Sequence, residues 1–279
     1  MKPETIALHH GYEADNQHAV AVPIHQTTSF SFDNAQHGAD LFDLKVAGNI
    51  YSRMMNPTCA VLEQRVAALE GGIGALAVAS GMAAITYAIQ TIAEAGDNLV
   101  SISVLYGGTY NLLAHTLPRQ GIETRFADKD DFAGIEALID GRTKALFCES
   151  IGNPSGSVVN IRRLADIAHA AGIPLVVDNT VATPFLWRPI EQGADIVVHS
   201  ATKYMGGHGT TMGGVIVDSG TFPWADQPKR FALLNEPDVS YHGVSYTRDV
   251  GEAAFITRAR VVPLRNMGAV LSAQAAWNL

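Results

Sequence analysis

Short, wholly apolar stretches that alternate with amphipathic helices constrain this sequence more than any other feature. Residues 174–178 (PLVVD) and 195–199 (DIVVH) each run apolar and stop on a polar group. Residues 75–79 (ALAVA), 98–105, 144–150 (KALFCES) and 213–218 (GGVIVD) repeat the theme. A strand with one solvated face alternates apolar and polar side chains, so uniformly apolar strands need cover on both faces. The cover lies between them. Residues 60–70 (AVLEQRVAALE) set Val61, Leu62, Val66 and Leu69 on one helical face, and Gly71-Gly72 ends the run. Further helices are expected from Gly81 to Ala93, over 110–120, and over 161–171 between an Asn160 cap and a Gly172 stop. The pattern predicts an α/β fold with a mostly parallel sheet flanked by helices, residues 213–218 lying on an edge.

Residues before Pro57 read differently, as an irregular arm with one helical stretch at 34–46. Beyond Gly220 comes a long polar and aromatic loop, then a helix over 252–262 and the start of another over 269–279. The expected organisation is an arm at 1–56, a large domain at 57–265 and the opening of a further segment at 266–279. Composition narrows the possible partners. The formal net charge is −8 and Lys and Arg are nowhere clustered, which argues against a nucleic-acid surface. No uncharged apolar run is long enough for a membrane span, and the first residues lack the apolar stretch of a signal peptide. Cys59 and Cys148 are the only thiols, too few and too far apart for a disulfide framework or a zinc spacing. A cytoplasmic protein is expected.

Chemistry concentrates where the strands end. In open parallel sheets, ligands sit outside the carboxyl ends of the strands. Polar residues gather at these ends: Ser80 and Gly81, Tyr106, Glu149 and Asn153, Asp178 and Asn179, then Ser200, Thr202 and Lys203. Twenty-five residues separate Asp178 from Lys203, room for one crossover between neighbouring strands. A carboxylate and an amine facing one ligand suit pyridoxal 5′-phosphate (PLP), which needs an amine for its imine and an anion beside its pyridine nitrogen. Lysine suits that role because its pKa falls readily in a buried, cation-rich site. A structural Asp–Lys ion pair, or a solvated lysine, is the plainer alternative from this pair alone. Ser80, Gly81 and Met82 precede a helix whose free N–H groups favour an anion such as the cofactor phosphate. Ser80 also reads as an ordinary helix cap. Ser200 and Thr202 add hydroxyls beside the lysine. Tyr106, ahead of Gly107-Gly108, is placed to stack on a ring or to belong to the core.

Three other patterns fail on context. Residues 72–77 (GIGALA) match a dinucleotide fingerprint, but they follow a helix and precede a strand, the reverse of what it requires. Residues 200–203 (SATK) match the S-x-x-K of penicillin-binding hydrolases without the partner motifs S-D-N and K-T-G. His9, His10, His199 and His208 show no metal-ligand spacing, so no metal site is expected.

The ordered series LHHGY, AVAVPIHQTTSF, YSRMMNPT, EGGIGALAVASGMAAI, SVLYGGTYN, ESIGNP, VDNTVATP and VVHSATKYMGGHG resembles the Cys/Met-metabolism PLP-dependent enzymes over essentially the whole chain. That resemblance implies a PLP-dependent transferase fold with a seven-stranded sheet, the smaller C-terminal domain being absent or truncated. It implies Lys203 as the residue carrying PLP, Asp178 as partner of the pyridine nitrogen and Tyr106 as ring stack and proton-transfer group. Gly81, Met82, Ser200 and Thr202 correspond to phosphate-binding positions, and Asn153 to the residue near the 3-hydroxyl. Tyr51 and Arg53 match a pair that reaches the phosphate of a neighbouring subunit, which implies a homo-oligomer, a dimer or dimer of dimers. Within the family, Gly108 and the Tyr241-His242-Gly243 loop are most similar to the O-acetylhomoserine sulfhydrylase branch. The function implied is γ-replacement on O-acetyl-L-homoserine by sulfide or a thiol. A methionine or cystathionine γ-lyase and a cystathionine γ-synthase are the alternatives inside the family. A non-catalytic protein keeping the fold is the alternative outside it.

Overall fold

The computed structural model describes residues 1–279. Its centre is a seven-stranded sheet: β1 (Gly74–Val78), β2 (Asn98–Ile102), β3 (Glu123–Ala127), β4 (Thr143–Glu149), β5 (Leu175–Asp178), β6 (Ile196–His199) and β7 (Gly214–Asp218). The spatial order is β1-β7-β6-β5-β4-β2-β3. Strands β2 to β6 run parallel, while β7 is antiparallel to both its neighbours. The mostly parallel α/β architecture is therefore as expected, but the position of β7 is not. It lies inside the sheet, paired with β1 through Gly74↔Asp218 to Val78↔Gly214 and with β6 through Ile196↔Asp218 to His199↔Val215. All five of its residues are buried, as a strand flanked on both sides and covered on both faces requires.

Strand β3 was not visible as an apolar run. It is an edge strand, bonded only to β2, and its sequence ETRFA sets the charged Glu123 and Arg125 on one face and Thr124 and Phe126 on the other, so no apolar run marks it. The arm also holds a helix that its sequence did not announce, α1 (Pro3–His9), which starts on a proline already fixed at a helical φ. The expected second helix is α2 (Ala35–Phe42), capped by Asn34 accepting from the His37 N–H.

Helix α3 (Pro57–Glu70) begins on Asn56, whose side chain accepts from the Thr58 N–H, and stops at Gly71 in the left-handed region (φ 83°). Helix α4 (Gly81–Gln90) follows β1, and α5 (Gly107–Asn111) follows β2. The run expected as one helix over 110–120 changes hydrogen-bond spacing: a π turn at Leu112–Thr116 leads to α6 (Leu117–Arg119), which contains Pro118. The helix after residue 252 does the same, passing from Ala254–Ala259 into a π turn at Arg260–Leu264 around Pro263. In each case a proline without an N–H breaks the regular ladder. Helices α7 (Phe132–Leu138) and α8 (Ile161–Ala170) complete the cover, both capped by a short polar side chain, Asp131 and Asn160.

Burial splits by sheet face. Leu76, Val78, Phe147, Val176, Val198 and Ile216 belong to one core of 34 buried residues, while Ala75, Ala77, Leu146, Val177, Val197 and Val217 belong to another of 28. Alternate residues of the same strands thus enter opposite layers, which is why the strands read as continuous apolar runs. The loop after β7 is anchored by aromatics: Phe222 lies 4.5 Å from Trp224, and Trp224 stacks on Phe255 at 5.6 Å between centroids. No helix is long and apolar enough to cross a membrane.

Candidate active site

The polar ends of β1, β2, β4, β5 and β6 open on one side of the sheet. There they surround a cavity of about 610 Å³. Of the residues singled out from sequence, Ser80, Gly81, Met82, Tyr106, Asn153, Asp178, Ser200, Thr202 and Lys203 all line it. Tyr51 and Arg53 do not. They line a separate hollow of about 420 Å³ with His25, Thr27 and Asn56, where the arm meets residues 270–273.

The floor is carboxylate chemistry. Asp178 ends β5, and its Oδ1 accepts from the Thr180 N–H at 2.9 Å and the Thr180 hydroxyl at 2.5 Å. The plain Asp178–Lys203 ion pair is therefore not what the fold builds: Asp178 is held by Thr180, with its other oxygen left over. Burial raises the Asp178 pKa, while the Thr180 bonds and the nearby His199 charge pull it down. Lys203 is exposed on the loop after β6, tied through its backbone alone: its N–H donates to Ser200 O at 3.1 Å and its carbonyl accepts from the Gly207 N–H at 2.8 Å. Tyr106 stands over the cavity, 51% exposed.

One wall is the start of α4. Ser80 Oγ accepts from the Ala83 N–H at 3.2 Å, so the cap reading is correct; its hydroxyl proton remains free. The Gly81 and Met82 N–H groups are the first of the helix and have no carbonyl four residues back to receive them. The wall is tight: a Cβ on Gly81 would sit 2.6 Å from Ser200 Cβ and 2.9 Å from Ser200 Cα. A Cβ on Gly214 would meet Ser80 O at 2.1 Å. Thr202 departs from the simple hydroxyl-donor reading. Its Oγ1 donates to Gly213 O at 3.1 Å and accepts from Gly213 N at 3.0 Å, so its single proton is committed to the loop.

Sequence reasoning missed several residues. Thr180 joins both walls, holding Asp178 and accepting from the Ser200 N–H at 2.8 Å. The Asp-x-Thr spacing of a side-chain-closed turn was its only signal. Glu149, noted at a strand end but given no role, accepts from the Tyr106 N–H at 2.6 Å and the Asn153 N–H at 3.1 Å. Burial lifts its pKa to about 7, aided by the charge of Asp178. His199 closes β6, the strand end expected from sequence, but its partner was not legible. It is buried beneath the site with Nε2 2.6 Å from Glu70 Oε1, the same oxygen that accepts from Asn179 Nδ2 at 3.0 Å. Asn179 Oδ1 in turn accepts from Ser150 Oγ at 2.8 Å. The groups of three acidic, histidine or cysteine side chains that a metal ion needs do not occur.

This donor set fits PLP on its own terms. A cavity of this size accommodates a cofactor. A free amine, an anion with an unspent oxygen, an aromatic above and an open helix N-terminus with a spare hydroxyl match the aldehyde, ring nitrogen, ring face and phosphate. Fold and site together define a class: an α/β enzyme built to carry PLP at the carboxyl ends of its strands.

Known proteins agree with that class. Residues 4–279 match the model of the Cys/Met metabolism PLP-dependent enzymes, and the chain belongs to that family. It is 54% identical over 278 residues to the sulfhydrylase FUB7 of Fusarium oxysporum f. sp. lycopersici, covering 99% of this chain and 64% of the relative. It is 47% identical to the O-acetyl-L-homoserine sulfhydrylase of Leptospira meyeri, covering 100% of this chain and 65% of the relative. The chain thus spans a little under two thirds of the length of these relatives. An O-acetylhomoserine (thiol)-lyase structure from Campylobacter jejuni superposes with a TM-score of 0.95 at 41% identity, over 100% of this chain and 69% of that one. That structure contains N′-pyridoxyl-lysine-5′-monophosphate.

Proposed function

We propose that this protein uses PLP, attached at Lys203, to exchange the acetate of O-acetyl-L-homoserine for sulfide or a small thiol, giving L-homocysteine or its S-substituted homologue. The observation that carries the reading is the convergence of the Lys203 amine and the Asp178 carboxylate on one cavity from neighbouring strand ends. The names of the relatives, sulfhydrylases acting on O-acetyl-L-homoserine, support the choice of substrate. When bound, PLP supplies an electron sink for negative charge developing on the substrate.

The chain's own residues do the rest. Asp178, fixed by Thr180, would present its other carboxylate oxygen to the ring nitrogen and keep it protonated. The Gly81 and Met82 N–H groups, with the Ser80 and Ser200 hydroxyls, would hold the phosphate and so orient the ring. Asn153, on the rim of the cavity, would meet the ring's 3-hydroxyl. The Lys203 amine would serve as base toward the substrate, taking the Cα proton, passing it on and then taking one from Cβ; both protons return to carbon as sulfide or thiol bonds to Cγ in place of the acetate that leaves. Tyr106, over the same space, would give a proton to the departing acetate or take one from the entering thiol.

The working organisation is a PLP-binding body at 57–265 with the arm at 1–56 reaching a second subunit. Tyr51 and Arg53 then complete the partner's phosphate site, consistent with their separation from this chain's own cavity. The two thiols, both free and buried, suit a reducing, cytoplasmic setting.

The decisive test is Lys203→Ala. Borohydride reduction of the PLP-loaded protein should attach the cofactor to the peptide containing Lys203, and the variant should retain no reducible adduct and no sulfide-dependent homocysteine formation. A wild-type adduct mapping to another lysine refutes the assignment.

A further inference from the structure

We infer that Glu149 is a positioning residue that clamps the two rims of the cofactor cavity together, fixing Tyr106 on one side and Asn153 on the other. The inference rests on the PLP reading above and deepens it. Glu149 is the last residue of β4, a strand flanked by β2 and β5, and its backbone is paired with Asp178 at the end of β5. Only 4% of the residue is exposed. Each carboxylate oxygen holds a different loop, Oε1 accepting from the Tyr106 N–H and Oε2 from the Asn153 N–H. Tyr106 follows β2 and Asn153 follows β4, and no other hydrogen bond joins them. One rigid, planar group therefore sets the distance between the aromatic over the cavity and the amide at its edge.

The cost of keeping Glu149 argues that the clamp matters. It is paired in register with Asp178 across β4 and β5, so two carboxylates sit side by side in a buried floor. Burial and this like charge destabilise its ionised form. No cation compensates; two backbone N–H groups do. A plain structural position would be served by an uncharged side chain, whereas receiving two N–H donors from opposite directions requires two acceptor oxygens. Glutamine has only one, and its amide would point an N–H at an N–H. Aspartate has both oxygens on a stem one methylene shorter and does not reach the two loops at once.

The test compares wild type, Glu149→Gln, Tyr106→Ala and the double variant Glu149→Gln/Tyr106→Ala. The readouts are the PLP dissociation constant and the visible circular dichroism of bound PLP, which reports how the ring is held. Mapping the borohydride adduct to Lys203 in wild type tests the cofactor reading separately. With that adduct present, Glu149→Gln should weaken PLP binding on the order of tenfold or more, as for a lost hydrogen bond to a charged group. It should also change the dichroic band. The loss should shrink when Tyr106 is already Ala, because part of the clamp's action passes through that ring. Full additivity, or an unchanged dichroic band in Glu149→Gln, overturns the inference while leaving PLP at Lys203 intact. If Glu149→Gln does not fold, amide hydrogen exchange in wild type decides: the Tyr106 and Asn153 amides exchange slowly if clamped, and at the rate of open loops if not.

Discussion

The close approach of Gly81 to Ser200 makes the proposed phosphate end of the cavity sensitive to a single added methyl. Replacing Gly81 by Ala adds a single methyl. Its ideal position is 2.6 Å from Ser200 Cβ, 2.9 Å from Ser200 Cα and 3.1 Å from Ser200 Oγ. Carbon atoms in contact prefer about 3.5–4.0 Å, so the start of α4 and the end of β6 must separate by roughly 1 Å. Neither side yields easily. Ser200 is fixed through its N–H to Thr180, and the backbone of Ser80 lies against Gly214. Overpacking of this kind costs about 1–3 kcal/mol. The intrinsic preference for Ala over Gly in a helix offsets at most about 1 kcal/mol. The net expectation is a loss of about 1–2 kcal/mol, a fall in Tm of about 2–4 °C for each kcal/mol. Widening the gap also pulls the Gly81 N–H from the Ser200 hydroxyl, so PLP affinity should fall with stability. Gly107→Ala is the control. It sits at the start of α5 at an ordinary φ, with nothing within 4 Å of the added Cβ, and should be neutral or slightly stabilising. Urea unfolding of the cofactor-free proteins and spectroscopic PLP titration measure both effects. If Gly81→Ala and Gly107→Ala agree within about 0.5 kcal/mol, the reasoning from close approach is wrong.

Two further perturbations address burial and assembly. Burial holds the Asp218 carboxyl near pKa 7, against 3.8 when unfolded. Between about pH 4 and 7 the native state therefore binds more protons than the unfolded one, and stability falls as pH rises through that window, by up to about 4 kcal/mol. Asp218→Asn should flatten this slope in urea-unfolding measurements at about pH 5, 6 and 8, and an unchanged slope contradicts the assignment. For the shared site, subunits carrying Lys203→Ala are mixed and reassembled with subunits carrying Arg53→Ala. Each mixed dimer regains one intact site, so roughly a quarter of wild-type activity should return in the homocysteine assay; none returns if Arg53 serves its own chain.

What the sequence made legible follows from where each signal is stored. Strands buried on both faces carry their identity in local composition, so LVVD and IVVH were plain while the edge strand ETRFA was not. The direction and place of β7 depend on what it pairs with, information spread over more than a hundred residues. The site behaves likewise. Lys203, Asp178 and Ser80 were readable because each lies just past a strand or at its end, whereas the ties that fix them are tertiary. Thr180 to Ser200, Glu149 to Tyr106 and Glu70 to His199 span 20, 43 and 129 residues. Thr202 shows the converse: its position was legible, but the commitment of its proton to Gly213 was not.

The antiparallel insertion of β7 also sets an order of events during synthesis. Strands β2 to β6 pair among themselves, but the only strand of the sheet that β1 pairs with is β7. A nascent chain that has emerged as far as Ser200 already holds Asp178 at the end of a bonded strand, yet β1 has no edge to join. The Ser80–Gly81 wall docks only after residues 214–218 leave the ribosome and thread between β1 and β6. Until then the helix start proposed to receive the phosphate stays apart from Ser200, so on that proposal the cofactor finds its full grip late in translation, once the most distant contact in the sheet has closed.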